Sequence, residues 1–425
     1  MQRTNINNIP KLRFKEYKDE WHEVQLGSIV IQMQSGLSRK LNNEDIGLPV
    51  LRSNNIKEGN IEITDLAYWH IKDPQGANTS NYYLRDGDLL INFINSITQI
   101  GKFAIYKNET GRDTIFTTNI MRLKFNQNTS VEFIALRLMS KKYDNFIHSI
   151  TKPAVNQASF TTVDLKRFKF LIPSKDEQEK IVDFLTAVDE KISALNKKVD
   201  LMKKYKKGVM QKLFSQEIRF KDEDGNDFPD WEKNKFGDTY EFLKTNSFSR
   251  GLLQETGEVK NIHYGDIHMK LQINFDSSKE KLSFIPSGAH SDYCQIGDLV
   301  ITDASEDRID IGKSIEIIKI NGDKVVAGLH TFLARPNNKI ALGFSAYLMQ
   351  GMQIRKQLWR IATGVSVLGI SKTELSKQLI NLPCKEEQKK IADFLTSIED
   401  TILLEEKKLG QAKKIKKYLL QQMFI

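Results

Sequence analysis

Apolar residues recur at an average of every 3.5 positions in two long stretches of the chain. In the first stretch the steps alternate between four and three residues, and in the second the same phase is interrupted at Glu405. Such a repeat is typical of the narrow seam of a left-handed coiled coil. The predicted seam residues are Ile181, Leu185, Val188, Ile192, Leu195, Val199 and Met202 in the first helix, and Ile391, Leu395, Ile398, Ile402 and Leu409 in the second.

Local signals predict where these helices begin and end. Pro173 and Pro383 precede carboxylate-rich first turns, and lysines cluster towards the far ends, at 203–207 and 413–417. Both placements suit the helix dipole. The lysines have two interpretations, a solvated face that compensates the dipole or a contact with DNA phosphate or an acidic partner. The helices also have two, a paired rod of roughly 60 Å or a lid over each helix's own domain, which needs a wider apolar stripe.

The chain contains two copies of one unit. Residues 172–214 match residues 382–424 at a constant offset of 210, with 19 of 43 pairs identical. Between Gly27 and Ile150, and between Gly237 and Arg360, only scattered matches remain. A unit that keeps one part constant while the other diverges indicates a fixed frame that carries two different readers. Ordinary loop drift is the alternative.

This organisation predicts an α/β (α+β) fold with two tandem domains related by a pseudo-twofold. Each domain is followed by a long helix, and the two helices pack as an antiparallel coiled coil. Strands are expected at 88–91 and 298–301, after Gly87 and Gly297, and helical spacing marks 131–146 and 341–358. The predicted bounds are 14–172 for the first domain, 173–214 for its helix, 215–382 for the second domain and 383–425 for its helix.

Composition narrows the class of protein. With 425 residues, 40% of them hydrophobic and 28% charged, the chain is long enough for two or three packed domains. Two cysteines cannot supply a disulfide framework, the first ten residues are polar, and no apolar run is long enough to cross a bilayer. We therefore expect a cytoplasmic protein without a membrane partner. The net charge of +9, from 63 basic and 54 acidic residues, is a weak indication of nucleic acid.

Polar and basic side chains that could contact DNA cluster where the copies diverge. Arginine suits guanine, and asparagine or glutamine suits adenine, in the major groove. For any one residue a solvated surface role is the alternative, because residue type alone carries little information. The candidates are Gln34, Ser35, Arg39, Lys40, Arg52, Asn54, Arg112, Lys152 and Asn156 in the first copy, and Lys244, Asn246, Arg250, His263, Tyr264, Arg308, Lys313 and His330 in the second.

Motifs for catalysis are missing from the sequence. The run Gly312-Lys313-Ser314 resembles the end of a phosphate-binding loop, but Asp307 stands where the first glycine is needed, and Gly101-Lys102 lies near the same place in the first copy. The catalytic loop of a DNA methyltransferase needs a Pro-Pro dipeptide, which is absent, and the seven histidines lack zinc-ligand spacing. We predict no catalytic residues, no metal site and no cofactor in this chain.

Taken in order, the duplicated motifs resemble the specificity subunits of type I restriction-modification systems, close to those of Gram-positive cocci. The resemblance covers nearly the full length. The motifs are Leu12-Arg13-Phe14, Trp21 and Leu26-Gly27 at the entrance, Gly87-Asp88-Leu89-Leu90 and Gly297-Asp298-Leu299-Val300 within the domains, and Ile172-Pro173, Glu177-Gln178, Lys180-Ile181, Leu382-Pro383, Glu387-Gln388 and Lys390-Ile391 at the helix starts.

The resemblance implies two target-recognition domains, each reading one half of a bipartite, asymmetric site on double-stranded DNA. It implies helices that set the spacing and dock two methyltransferase subunits, which methylate adenine with S-adenosylmethionine. Restriction and translocase subunits would supply cleavage that depends on ATP and Mg. The alternatives are a coiled-coil interaction scaffold without direct DNA readout, and a self-sufficient nuclease or methyltransferase, which the missing motifs disfavour.

Overall fold

The computed structural model describes residues 8–57, 59–155, 157–286 and 291–424. Contacts divide the chain into two compact units. The first unit holds the residues up to Ser193 and those from Gly410 onward, and the second unit spans Ala194–Leu409. Both divisions fall inside the long helices, Lys175–Phe214 and Lys385–Met423. Each unit therefore contains the start of one long helix and the end of the other.

A four-stranded antiparallel sheet is the centre of the first unit, with Leu89–Asn92 as an inner strand. Side chains alternate across this strand, so Leu89 and Ile91 face a core shared with helices, while Leu90 faces a second core. The second core lies against a three-stranded sheet. The order is Val30–Ser35, Ile120–Phe125, Leu89–Asn92 and Phe103–Ile105 in the larger sheet, and Ile115–Phe116, Leu48–Leu51 and Ala67–Trp69 in the smaller.

Shorter elements complete this unit. The remaining strands are His22–Gln25 with Lys169–Ile172, Ile56–Lys57 with Asn60–Ile61, and Lys152–Pro153 with Ala158–Ser159 and Ile94–Asn95. The helices are Leu26–Ile29, Val131–Leu138, Lys141–Ile150 and Thr162–Lys166, with 3-10 turns at Ser53–Asn55 and Thr79–Tyr82.

The second unit repeats this arrangement around the strand Leu299–Thr302, which again has one apolar core on each side. Its five-stranded sheet has the order Tyr240–Leu243, Thr331–Pro336, Leu299–Thr302, Ser314–Lys319 and Asn274–Asp276. The other strands are Ser283–Phe284, Val259–Ile262 and Lys324–Ala327 in one sheet, Glu232–Lys235 with Leu379–Leu382, and Ala304–Ser305 with Leu368–Gly369. The helices are Phe236–Thr239, Tyr264–Met269, Ser345–Gln350, Met352–Ile361 and Lys372–Ser376, with a 3-10 turn at Arg250–Leu252.

The predicted fold class is confirmed, with two local differences. The two glycine-led strands begin one residue later than predicted, at Leu89 and Leu299. Each stretch with helical spacing contains two helices. The first breaks at Ser140, whose hydroxyl accepts the Tyr143 N–H at 3.3 Å, and the second breaks at Gly351. A serine N-cap starts a new helix because its oxygen satisfies a free backbone N–H.

The Gly-Asp-Leu motif of each copy forms a turn and an ion pair. Gly87 and Gly297 have φ angles of 88° and 92°, which an L side chain rarely adopts. The buried Asp298 accepts two hydrogen bonds from Arg335 at 2.8 Å, on the adjacent strand. Asp88 lies 3.5 Å from Arg122 in the first unit. The aspartate thus joins the turn to the central sheet.

Within each unit the segments of the two long helices run antiparallel, as predicted. In the second unit Lys198 lies 3.0 Å from Glu405, and Lys206, two turns later, contacts Glu399, which precedes Glu405. In the first unit Lys416 lies 2.6 Å from Asp189. Lysines of the two clusters, Lys206 and Lys416 among them, therefore form ion pairs between helices, a role that neither interpretation of the clusters included.

All twelve predicted seam residues are buried or half-buried. Glu405, which interrupts the seam, is only 4% exposed, and its carboxylate lies 2.9 Å from Lys408 as well as near Lys198. These two ammonium groups lower the pKa of Glu405. Glu405 thus forms ion pairs inside the seam. The buried carboxylate has partners, so the two helices can pack against each other at this position.

The two interpretations of the long helices, a paired coiled coil and a lid over a domain, each hold for part of a helix. Ile181 and Leu185 belong to the core of the first unit, so the start of the first helix covers its own domain. The same core contains Leu419 and Met423 from the end of the second helix. The core of the second unit contains Leu213 in the matching place. Each domain is therefore closed by its own helix and by the end of the helix of the other copy.

A buried carboxylate at the start of each long helix joins that helix to the entrance of its domain. Glu177, 1% exposed, accepts two hydrogen bonds from Arg13, both at 2.7 Å, and one from the Trp21 indole at 3.3 Å. In the second unit the side chain of Glu387 is fully buried. Its carboxylate accepts two hydrogen bonds from Arg219, at 2.7 and 3.1 Å, and one from the Trp231 indole at 3.1 Å. This repeated bidentate pair explains why these residues recur in the sequence.

The neighbouring glutamine makes a second connection. Gln178 accepts the Ser130 N–H at 2.9 Å and donates to the Asn128 carbonyl at 3.2 Å, at the loop before the helix Val131–Leu138. Gln388 accepts the Ala341 N–H at 2.9 Å and donates to the Lys339 carbonyl at 2.9 Å. One Glu-Gln pair thus holds two separate parts of each domain against the helix start.

Replacing Arg13 with alanine should destabilise the first unit by about 3 kcal/mol, because the Glu177 carboxylate would stay buried without its partner. Arg219→Ala should do the same to the second unit. Hydrogen exchange of peptides from each unit measures the two effects separately. The matched control is Arg167→Ala, which removes an exposed pair with Asp164 at 3.5 Å and should cost less than about 1 kcal/mol. Equal slowing or acceleration of exchange in both units by Arg13→Ala would contradict the expectation.

Candidate nucleic-acid interface

Three of the predicted DNA contacts meet in a concavity of about 330 Å³ in the first unit. Arg52 and Asn54 follow the buried strand Leu48–Leu51 and lie at the 3-10 turn Ser53–Asn55. Arg39 comes from the loop after the strand Val30–Ser35. The lining is completed by Leu37, Ser38, Ser53, Thr117, Thr118 and Asn119. The concavity is therefore polar, and strand ends and turns form its walls.

Five predicted contacts of the second copy also lie together. The ring of Tyr264 has its centroid 4.6 Å from that of His263 and 5.3 Å from that of His330. Arg250 approaches the same group, with Nη2 3.1 Å from Asp266 and 3.4 Å from Nδ1 of His263. Asn246 donates to Asn261 at 2.8 Å and to the Ala327 carbonyl at 3.0 Å, on the two strands that lead to His263 and His330.

These two groups occupy the same place in the repeated fold. Each unit contains a pair of parallel strands. In both units the last carbonyl of each strand in the pair accepts a hydrogen bond from the backbone N–H of a neighbouring segment. The four bonds are Leu37 to Phe116 (2.8 Å) and Thr117 to Leu51 (2.9 Å) in the first unit, and Asn246 to Ala327 (3.1 Å) and Gly328 to Ile262 (2.9 Å) in the second. By this correspondence Arg52 is the counterpart of His263, and Asn119 is the counterpart of His330.

Arg39 is held by an internal ion pair. Its guanidinium donates to the two carboxylate oxygens of Asp73 at 3.2 and 2.6 Å, and the Asp73 side chain has 0% exposure. Asp73 also accepts the Trp69 indole N–H at 3.1 Å and the Ala77 N–H at 2.8 Å. The Arg39 guanidinium, with these N–H groups, lowers the pKa of Asp73 well below its usual range. Arg39 therefore shapes the concavity more than it is free to read a base.

Arg52 and Asn54 remain available at the rim. Arg52 donates through Nη2 to the Asp65 carboxylate at 2.9 Å, and Asn54 donates to the same carboxylate at 3.4 Å. The Arg52 side chain is 31% exposed. The Asp65 carboxylate contacts the guanidinium through Nη2, and arginine is the residue that most often binds guanine in the major groove.

His263 is a neutral N-cap. Its Nδ1 accepts the Gly265 N–H at 3.2 Å at the start of the helix Tyr264–Met269. Burial lowers the pKa of His263, and the nearby Arg250 adds to this effect. A neutral imidazole can accept this hydrogen bond, and the half-buried Tyr264 follows as the first residue of the helix.

The other candidates of the first copy lie elsewhere. Gln34 is half-buried and donates to the Asn81 carbonyl at 3.1 Å, while Ser35 is exposed at the strand end. Lys40 is exposed beside Arg39. The remaining three are Arg112, paired with Asp45 at 2.6 and 3.0 Å, Lys152 on the exposed strand Lys152–Pro153, and Asn156, which is outside the described residues.

Three candidates of the second copy also lie apart from the cluster. Lys244 is exposed, and its backbone N–H donates to Asp292 at 2.7 Å. Arg308 donates to the Trp359 carbonyl at 2.8 Å, and Lys313 donates to the His268 carbonyl at 2.9 Å. Their residue types suit DNA, but the side chains of Arg308 and Lys313 are bound to other parts of the domain.

Sequence reasoning missed Thr117, Thr118 and Asn119 in the first unit and Asp303 in the second. The first three precede the apolar strand Ile120–Phe125, as His330 precedes Thr331–Pro336. His330 and Asn119 are counterparts at an offset of 211 residues, whereas the long helices match at an offset of 210. A comparison of the two copies at the constant offset of 210 therefore does not pair Asn119 with His330.

Gly312-Lys313 belongs to the repeated fold. The Lys313 carbonyl accepts the Thr302 N–H at 2.9 Å, as the Lys102 carbonyl accepts the Asn92 N–H at 2.8 Å. The pair is therefore a turn between strands in both copies. In the part of the chain that the structure describes, no group of three His, Cys, Asp or Glu side chains could hold a metal ion. No helix among the described residues is long and apolar enough to span a membrane.

A sequence profile of the type I restriction modification DNA specificity domain matches residues 18–201 and 229–414. The chain is 28% identical to the putative type I restriction enzyme MjaX specificity subunit of Methanocaldococcus jannaschii, over 97% of this chain and 95% of that protein. It is 23% identical to the type I restriction enzyme EcoKI specificity subunit of Escherichia coli K12, over 40% of this chain and 36% of that protein.

Solved structures share the fold. The S subunit of a type I restriction-modification system from M. genitalium matches with a TM-score of 0.57 and 13% identity, over 98% of this chain and 99% of that one. A chain from a structure on complex assembly and conformational transition of the type I R-M system matches with a TM-score of 0.55 and 15% identity, over 95% and 97% of the two chains.

Replacing Arg39 with glutamine should lower the stability of the first unit at neutral pH without a comparable effect on the second. The lowered pKa of Asp73 means that its stabilising contribution is present above the carboxyl's unfolded value of about 3.9 and is lost as the pH falls through the folded value. Unfolding of the first unit should therefore depend less on acid in Arg39→Gln than in the wild type. Hydrogen exchange at a series of pH values from neutral to well below the ordinary pKa of an aspartate measures this. An unchanged acid dependence would show that Arg39 does not hold Asp73.

Proposed function

Because the chain belongs to the family of type I restriction-modification specificity subunits, with two tandem target-recognition domains, we propose that each domain reads one half of a bipartite, asymmetric site on double-stranded DNA. The observation that carries this proposal is the pair of matching positions with different side chains. Arg52, Asn54 and Asn119 lie where the second unit has His263, Gly265 and His330. The same place on the fold then presents a different hydrogen-bonding pattern in each domain.

The chain is a recognition subunit, and we assign it no catalytic step. Its relatives are named as specificity subunits of type I restriction enzymes. We propose that two methyltransferase subunits supply adenine methylation with S-adenosylmethionine, and that restriction and translocase subunits supply the chemistry that needs ATP and Mg. The narrower resemblance to the subunits of Gram-positive cocci stays a prediction, as does the cytoplasmic location.

The long helices support a second element of the proposal, that they set the distance between half-sites and dock the methyltransferase subunits. They contain 40 and 39 residues, and at about 1.5 Å per residue each is a rod of roughly 60 Å. Their first turns are joined to the domains through Glu177 and Glu387. We infer that a stiff helix joined to its domain in this way sets the distance between the half-sites through its own length.

Substitutions in one cluster should change one half-site only. Arg52→Ala with Asn54→Ala should relax base preference in one half of the site by about 1–3 kcal/mol per lost contact. Arg250→Ala with Tyr264→Ala should relax the other half. Binding-site selection with the complex of the full-length chain and its methyltransferase subunits measures both preferences. The control is Arg167→Ala, at the exposed residue that follows the helix Thr162–Lys166, which should change neither.

A coiled-coil scaffold without DNA readout predicts a different result. In that case neither double substitution changes the selected sequence, and exchange of residues 27–150 for those of another subunit leaves the DNA preference as it was. A single continuous selected sequence, without an unspecific gap, would contradict the assignment of one reader to each domain.

Lengthening both helices by the same whole number of heptads should lengthen the gap between half-sites. Seven residues inserted after Leu195 and seven after Leu409 keep the phase of the seam and add about 10 Å to each helix. By the register of the ion pairs Lys198 with Glu405 and Lys416 with Asp189, Leu195 and Leu409 lie at about the same level of the two antiparallel helices. At 3.4 Å per base pair the gap should grow by about three base pairs.

The control for this experiment is an insertion of seven residues after Leu195 alone, which breaks the ladder and should abolish assembly or binding. Mapping methylated adenines in cells that carry each variant reads the gap directly. A double insertion that binds and methylates with the original gap would show that the helices do not set the spacing.

A further inference from the structure

His330 has an unusual backbone that is fixed on both sides. Its φ is 57°, in the left-handed region that L residues rarely adopt. The His330 carbonyl accepts the Asp303 N–H at 3.1 Å, and the preceding Leu329 carbonyl accepts the Tyr264 N–H at 3.4 Å. Nevertheless the side chain is 49% exposed. A strained conformation persists where the surrounding structure determines it, and such positions concentrate at functional sites.

The imidazole of His330 is oriented by two contacts. Nδ1 lies 3.2 Å from Oδ1 of Asp303, and the ring packs edge-on against Tyr264, with planes at 83°. Nε2 takes no hydrogen bond from any residue that the structure describes. A carboxylate that accepts a hydrogen bond from Nδ1 determines what the other ring nitrogen can offer. The ring is thus held with Nε2 available to a ligand.

The first unit lacks this pair. Phe93 N–H donates to the Asn119 carbonyl at 3.2 Å, as Asp303 N–H donates to His330, so Phe93 and Asn119 occupy the matching positions. The next hydrogen bond also corresponds, since the Phe160 N–H reaches the Phe93 carbonyl and the Ile370 N–H reaches that of Asp303. The matching positions therefore carry an asparagine and a phenylalanine in the first unit, and a histidine and an aspartate in the second.

We propose that His330, oriented by Asp303, is a protonation-dependent contact of the second recognition domain with DNA. The imidazolium donates its Nε2–H to an acceptor of the second half-site, either N7 of a purine or a phosphate oxygen. Asp303 is a positioning residue, which acts through His330. This inference rests on the proposed function and adds to it that the two half-sites are read with different dependence on pH.

The charges that surround His330 come from several elements. Asp303, on the loop after Leu299–Thr302, is the carboxylate in direct contact with the imidazole, with Oδ1 3.2 Å from Nδ1. Lys372 lies near Asp303 and carries a charge opposite to that of its carboxylate, while burial raises the pKa of Asp303. Arg250, a second cation, lies beside His263. On and beside the helix Tyr264–Met269, the ring of Tyr264 packs against His330, and the rings of His263 and His268 pack against Tyr264.

The test measures the contribution of each half-site to binding as a function of pH. The probe is a duplex with the bipartite sequence obtained from methylated adenines, and two further duplexes have one half replaced. The full-length chain in complex with its methyltransferase subunits is titrated with each duplex between about pH 6 and about pH 8, where histidine ordinarily titrates. The ratio of Kd values for replaced and intact duplexes gives the preference for each half.

For the wild type, the preference for the second half should fall with rising pH, by at most about tenfold per pH unit, the limit for one linked proton. The preference for the first half should not show this fall. In His330→Asn the second preference should be lower at about pH 6 and independent of pH. Asparagine tolerates the left-handed backbone, so this variant should fold. In Asp303→Asn the second preference should be lower at about pH 6, because the imidazole loses the group that orients it.

Several outcomes would overturn the inference. A wild-type second-half preference that does not change with pH would do so, as would a His330→Asn variant that keeps the wild-type pH dependence. The source of the acceptor is separated by substituted DNA. Loss of the pH-dependent increment with 7-deazapurines assigns it to N7, loss with methylphosphonate linkages assigns it to phosphate, and loss with neither contradicts donation from Nε2.

Failure of this inference is distinguishable from failure of the proposed function. If binding needs both halves but their preferences change equally with pH, only the role of His330 is wrong. If replacing either half leaves the affinity unchanged, the two-reader function itself is wrong. Asn119→Ala is the matched control in the first unit, and it should lower the first preference without altering the pH dependence of the second.

Discussion

The bidentate pairing of a buried carboxylate with an arginine, Glu177 with Arg13 and Glu387 with Arg219, is the constraint on which both units depend. A carboxylate with almost no exposure is tolerated only if its oxygens are fully paired, and here the guanidinium and an indole N–H supply the partners. The pair brings the chain entrance of each domain to the first turn of its long helix. Together with the adjacent glutamine, it fixes the direction in which the helix leaves the domain.

A frame anchored in this way leaves the rest of each domain free to vary. The central strands pack by alternation, with Leu89 and Leu299 towards one core and Leu90 and Val300 towards the other, and this requires only apolar side chains of suitable size. The loops beyond the strand ends carry no such requirement. Different side chains can therefore appear there without disturbing the core, which is why one fold can present two chemically different surfaces at the same backbone position.

The candidate contacts show how far residue type can be trusted. Arg39 and Arg52 are both arginines in the divergent region, yet Arg39 is paired with a fully buried carboxylate while Arg52 stands at the rim beside an exposed one. The distinction depends on Asp73 and Asp65, which lie 34 and 13 residues further along the chain. Residue type shows what a side chain can bind, but its partners are chosen by chain segments that meet only in the folded domain.

The two copies, the long paired helices, the glycine turns and the residues that recur at the helix starts could all be predicted from the sequence. These features are local or periodic, and a repeated constraint leaves a repeated residue. The folded structure was needed to show that each domain core includes the end of the helix of the other copy, that Glu405 is paired inside the seam, and that Arg52 and His263 are counterparts. Such features depend on distant segments meeting, and side chains that diverge between copies leave no matching pattern from which that meeting could be inferred.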